Sequence, residues 1–181
     1  MDHARGQLLI AGPNLLDPNF WRTVVLIVEH SDEGALGLVL NRPSETTIGE
    51  AVPQLEELVD PADSVFIGGP VQPSSVIVLA EFEDPTDAAL IAFDDIGVLG
   101  SGASLQELAV GVRRSRAFVG HAGWGPGQLD TELEHGDWIL EPADREDAFF
   151  AAPREQWPDV LRRKGGRYAL IARMPPDPSV N

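Results

Sequence analysis

The residues with the most chemical potential stand together in Gly120-His121-Ala122-Gly123-Trp124-Gly125-Pro126-Gly127-Gln128. If this segment joins a strand to a helix, its glycines let backbone N–H groups approach an anion at the helix N-terminus. His121 titrates near neutral pH and can act as acid, base or ligand. Trp124 can cover a planar ligand. His121, Gly123, Trp124, Gly125 and Gln128 are therefore the candidate ligand-binding residues, with Arg42 and His30 as outside contributors. The plainer reading, a tight strand-to-helix turn with Trp124 packed inward, ranks ahead of the binding one. The segment lacks the dinucleotide fingerprint, because Asp130 stands where the spacing from Gly125 and Gly127 needs glycine.

Other chemistry-bearing types have simpler roles. Asp130 and Glu134 are four apart and share a helix face, where a solvated pair is expected. Arg42 in Asn41-Arg42-Pro43 could meet an anion, but a salt bridge is the simpler expectation. His30 ends a strand, His135 ends a helix beside Gly136, and His3 lies near the terminus. The lone Lys164 is followed by Gly165, so there is no phosphate-binding loop of the Gly-Lys-Ser/Thr kind. Ser101 between Gly100 and Gly102 is a faint echo of a nucleophile elbow. No catalytic residue, cofactor or metal ligand is assigned.

These residues must be positioned by strands more than by helices. Residues 23–28 form a continuous apolar, β-branched run, and residues 36–40 a second. The polar joint between them ends in Gly34, which predicts an antiparallel hairpin. Further strands are predicted at 7–11, 65–67, 76–80, 96–99, 117–119, 138–140 and 168–172. Leu55, Leu58 and Val59 have helical spacing after Pro53. Ser104 and Glu107 form a capping-box pattern before a short helix that meets Gly111. Residues 128–134 put Leu129 and Leu133 on one face. Asp144 can cap a turn carrying Phe149, and 158–164 has proline at its start and Gly165 past its end. The fold class is α+β: a curved mixed sheet with short flanking helices, not a doubly wound parallel sheet. Residues 1–174 form one domain, and 175–181 an extended, proline-rich tail.

Composition excludes some functions. The 181 residues include no cysteine, so disulfides, thiolate zinc sites and a cysteine nucleophile are out. No signal peptide is expected in residues 1–12, and the longest aliphatic run falls far short of the ~20 residues that span a bilayer. A cytoplasmic protein without membrane attachment is expected. The net charge of -16 opposes direct DNA binding. The densest basic stretch, Arg162, Arg163, Lys164 and Arg167, is explained by a helix C-terminus that favours cations.

In order along the chain, several pieces form a specific set. They are Gly6-Gln7-Leu8-Leu9-Ile10-Ala11, Asp17-Pro18-Asn19-Phe20, Val28-Glu29-His30 and Gly34-Ala35-Leu36-Gly37-Leu38-Val39-Leu40-Asn41-Arg42-Pro43. Phe66-Ile67-Gly68-Gly69-Pro70, Gly120-His121-Ala122-Gly123-Trp124, Gly127-Gln128-Leu129 and Trp138-Ile139-Leu140 follow. This set resembles the YqgE/AlgH family of bacterial proteins over nearly the whole chain, with residues 82–96 departing most. The resemblance implies an α+β fold with a branched sheet rolled into a partial barrel. It also implies regulation, since members are often labelled transcriptional regulators and the AlgH name is tied to control of alginate synthesis. It transfers no catalytic residues. The expected function is a non-enzymatic, regulatory protein that binds a small ligand or a protein partner. The alternative is an enzyme acting on a small anionic substrate at 120–128, with His121 as acid or base.

Overall fold

The computed structural model describes residues 4–100 and 104–176. His3, Ser101 and residues 177–181 of the expected tail lie outside the described residues. Among the described residues ten strands are present: β1 (Gln7–Ala11), β2 (Val24–Ser31), β3 (Gly34–Val39), β4 (Pro43–Thr47), β5 (Ser64–Ile67), β6 (Val71–Phe82), β7 (Leu90–Phe93), β8 (Ile96–Val98), β9 (Val112–Trp124) and β10 (Trp138–Pro142). The α-helices are short: α1 (Ile48–Ala51), α2 (Leu105–Val110), α3 (Gln128–Glu134), α4 (Gln156–Lys164) and α5 (Arg167–Ile171).

The strands form one curved, unclosed sheet in the order β10-β1-β2-β3-β9-β6-β8-β7, and β4–β5 branches from β9. The α+β reading therefore holds. Pairing is antiparallel except between β5 and β9, which are parallel. The hairpin expected from the two apolar runs is present, with Val25 opposite Val39 and Leu26 opposite Leu38.

The continuous apolar character of β1 and β2 follows from burial on both faces. Successive strand side chains point to opposite sides. Leu8, Ile10, Val24, Leu26 and Leu38 enter one core, closed by Trp157, Val160 and Leu161 of α4. Leu9, Ala11, Val25, Ile27 and Val39 enter a second, with Trp124, Leu129 and Trp138. A third packs Ile48, Val52, Leu55 and Val59 on Val65, Val78 and Ala117.

Several expectations change. Residues 168–172 are not a strand: residues 167–171 are α5. Gly165 and Gly166, with φ of 79° and 58°, reverse the chain after α4. Tyr168 and Ile171, one helical turn apart, then pack on the first core. The turn after Pro53 is a 3-10 helix, Pro53–Leu55. Ser104 is the N-cap of α2, but its hydroxyl makes no capping bond. Within 82–96 the chain forms β7, which pairs antiparallel with β8.

Candidate functional site

Residues 120–128 are not mainly a turn. Gly120 to Trp124 complete β9, and α3 starts at Gln128, leaving only Gly125, Pro126 and Gly127 between them. Strand alternation therefore separates the candidate residues. Ala122 and Trp124 face the second core. His121 and Gly123 face the opposite side, where Gly123 lies against Val71.

Trp124 and Trp138 are only 7% and 5% exposed. Their indole N–H groups donate to the same oxygen, Glu132 Oε2, at 2.8 and 2.9 Å. Gln128 Nε2 donates to Glu132 Oε1 at 3.1 Å, and Gln128 Oε1 accepts from Gly125 N–H at 3.0 Å. Phe20 adds a third ring, with centroids 6.3 and 5.6 Å from Trp124 and Trp138. Glu132 was missed from sequence, although its i,i+4 spacing from Gln128 was readable.

His30 borders the same cluster. It is buried, its Nδ1 accepts from Ala4 N–H at 3.2 Å, and its Nε2 lies 3.7 Å from Asp130 Oδ1. Arg42 reaches the cluster only indirectly. Its guanidinium donates to the carbonyls of Pro18, Asn19 and Trp21, which pins the loop carrying Phe20. No carboxylate stands at ion-pair distance from Arg42 among the described residues, so the expected salt bridge is replaced by carbonyl contacts. Asp17 acts on it at longer range, and burial holds its pKa below the usual value. Neighbouring Asn41 accepts from Val24 N–H and donates to Arg22 O. Asn41-Arg42 is thus a clamp on the chain before β2.

The glycine motifs have a steric cause. A Cβ on Gly69 would stand 2.1 Å from the His121 carbonyl carbon, and one on Gly120 would stand 2.2 Å from Gly69 O. The two motifs cross backbone on backbone. His121 is left with a buried Nδ1 that has no hydrogen-bond partner among the described residues. Burial holds its pKa below 6.5.

The other half of β9 builds a different place. β5 pairs with β9 only at Phe118 and Val119. Before that point, Arg113-Arg114-Ser115-Arg116 line a cleft of about 480 Å³, walled by Leu58, Val59, Phe66 and Phe149. Glu81 lies opposite Arg114 and Phe82 opposite Val112, so Arg113 is an extra, bulged residue. Arg113 bridges to Asp95 at 3.0 Å and lies 3.6 Å from Glu81. Arg114 bridges to Glu81 at 2.6 Å and Glu146 at 3.0 Å, and its pKa is raised, chiefly by the Glu81 hydrogen bond.

Arg116 differs. It stacks 4.3 Å over the Phe66 ring and shares the Phe150 carbonyl through two long contacts of 3.3 Å. Burial lowers its pKa, and Asp63 offsets this only at a distance. No carboxylate reaches ion-pair distance from it among the described residues. Sequence reading passed over this stretch, although three arginines in four residues were a visible signal. A second cleft of about 630 Å³ is lined by Lys164, Arg167 and Tyr168, but Lys164 is paired and Arg167 is exposed to solvent. Lys164 donates to Leu140 O and Glu141, while Arg167 donates to the Tyr168 hydroxyl. The expected helix-end setting of Arg162, Arg163 and Lys164 is present, with Arg163 on Asp147 at 2.9 Å. No group of three or more metal-type side chains occurs among the described residues. No helix among them is long and apolar enough to cross a membrane.

The cleft and the tryptophan cluster both fall inside the stretch that matches a known family model, described as AlgH-like, over residues 8–169. A UPF0301 protein of Thermobifida fusca is 40% identical, covering 97% of this chain and 94% of its own length. One from Streptomyces coelicolor is 38% identical, with 97% and 94% covered. Among solved structures, protein DIP2367 of Corynebacterium diphtheriae superposes with a TM-score of 0.84 at 31% identity, covering 94% of this chain and 92% of its own. The AlgH protein of Pseudomonas aeruginosa gives 0.69 at 32%, with 96% and 95% covered. On the match of sequence and of fold, the chain belongs to the AlgH-like family.

Proposed function

We propose that this is a cytoplasmic regulatory protein that binds a small molecule in the Arg116 cleft without transforming it. The observation that carries the reading is Arg116 itself: a desolvated guanidinium, held by long contacts, in a cleft of ligand size lined by polar and apolar groups together. The neighbouring groups suit binding more than catalysis. Glu81 is engaged by arginines, and Ser115 donates its hydroxyl to Leu58 O. The regulatory half of the proposal rests on resemblance to AlgH, and the compartment on the acidic, cysteine-free composition. Direct duplex binding is not part of the proposal, since the net charge of -16 repels phosphate.

The segment 120–128 supports this reading by contrast. A ligand at Trp124 or Gln128 would have to break the bonds to Glu132.

A thermal-shift screen of metabolites against the wild type and Arg116→Ala tests the proposal. A ligand at about 100 times its Kd should raise the wild-type Tm by roughly 5 °C or more, and the variant's Tm much less. If no compound has an effect that depends on Arg116, the binding site is wrong. If a stabilising compound is consumed, the non-enzymatic reading is wrong.

A further inference from the structure

Resting on the cleft as the binding site, we infer that its ligand is an apolar molecule bearing a single carboxylate. Three arginines line the cleft, but Arg113 and Arg114, together with Arg145 beside them, balance the charges of Glu81, Asp95 and Glu146. Only Arg116 has a charge left to satisfy. Asp60 and Asp63 stand on the cleft wall as further negative charge. A polyanion such as a nucleoside triphosphate would gain one cation and meet several carboxylates. A monoanion gains the cation with much less repulsion.

A guanidinium has five N–H donors in a planar fork that matches a carboxylate through two parallel bonds. On Arg116, Nη1 and Nη2 share one carbonyl oxygen at 3.3 Å, which leaves donor capacity unused. The plane is held over Phe66, so the fork is already oriented when the ligand arrives. Beside Arg116, the partly exposed Pro43, Leu58, Phe149, Ala151 and Pro153 offer apolar surface for the rest of the molecule. The volume of about 480 Å³ suits a body the size of an aromatic amino acid or larger.

The test uses the full chain and 3-phenylpropionate as the probe, with inorganic phosphate and ATP as comparators, read by amide shift mapping and calorimetry at neutral pH. Saturable binding of 3-phenylpropionate is expected, with shifts centred on Phe66, Ser115, Arg116 and Phe149. Arg116→Met should weaken it about tenfold or more, and Arg116→Lys should weaken it less, since the point charge stays while the fork is lost. Phosphate and ATP should not perturb those amides. If ATP or phosphate binds there and the monocarboxylate does not, the ligand class is overturned while the cleft stands as the site. If 3-phenylpropionate shifts no residue of the cleft, or binds Arg116→Met as well as the wild type, the inference falls. The broad screen, with its own Arg116 dependence, then decides separately whether the cleft binds anything. Should Arg116→Met fail to fold, the wild-type shift map and Arg116→Lys still decide the matter.

Discussion

The two ends of β9 carry opposite kinds of chemistry. At its C-terminal end, Trp124 gives its only polar hydrogen to Glu132, and Glu132 in turn holds Trp138 and Gln128. At its N-terminal half, Arg116 lies in a cleft with long contacts and a desolvated charge. The first region is rich in glycine, tryptophan and histidine, and so attracts attention in the sequence. Its polar groups are mostly consumed by the fold. The second is a plain arginine run in which Arg116 keeps donors to spare. Unusual residue types mark where the backbone is crowded; unused hydrogen-bonding capacity marks where a ligand can be held.

The sharpest way to break this comparison is at the glycine crossing. Gly69 has φ of 155°, and a Cβ there would collide with the His121 backbone at 2.1 Å. Backbone cannot swing aside as a flexible side chain can. Gly69→Ala is therefore expected to cost roughly 4 kcal/mol or more, measured as a lower denaturant midpoint. A loss below about 1 kcal/mol would show that the crossing is slack and that the glycines are kept for another reason.

The aromatic cluster comes next. Trp124→Ala should cost about 3–5 kcal/mol through lost packing. Glu132→Ala should cost about 2–3 kcal/mol, because it strands two buried indole N–H groups. Glu132→Gln should cost less, since one acceptor oxygen remains. None of the three changes should alter ligand binding at Arg116. If Glu132→Ala weakened binding there while leaving stability intact, the two regions would be one site.

At Arg116 the ordering reverses. Arg116→Ala loses a stacking contact and two long hydrogen bonds but also removes a desolvated charge, so stability should move by about 1 kcal/mol or less. Ligand affinity should fall steeply instead. A stability loss comparable to that of Trp124→Ala would make the arginine architectural and erase the contrast.

The same contrast explains what the sequence could and could not disclose. The hairpin of 23–28 with 36–40 was legible because its alternating side chains fill two cores, leaving an apolar run and a glycine-ended joint. The strand β10 was legible for the same reason. The helix α5 was not, since Tyr-Ala-Leu-Ile-Ala is a short apolar run whose period is ambiguous, and packing against α4 decides it. In the candidate site, strand alternation put His121 and Trp124 on opposite faces, which the reading of 120–128 as a turn concealed. Arg116 was hidden for another reason. Whether an arginine is paired depends on Glu81, Asp95 and Glu146, which are distant in sequence.

The smallest expected effect belongs to His121, and it bears on both readings of its segment. Burial holds its folded-state pKa below 6.5, so the unfolded chain takes up the proton first as pH falls. Stability linked to this group is then fully present above about pH 6.5 and is lost as pH drops below it toward the folded pKa. His121→Gln removes the titration while keeping a polar side chain of similar reach. The difference in Tm between wild type and variant should therefore narrow, or turn in the variant's favour, between pH 7 and pH 5, within about a few degrees. Direct titration of the imidazole by NMR supplies the matching check, with a midpoint below 6.5 expected in the free protein. An anion bound at 120–128 would act in the opposite direction, since negative charge favours the imidazolium. A His121 midpoint that rises on adding a ligand whose binding survives Arg116→Ala would return the site to the glycine-rich segment. An unmoved midpoint, with ligand held in the cleft, leaves His121 as a half-buried side chain beside the crossing of Gly69 and Gly120.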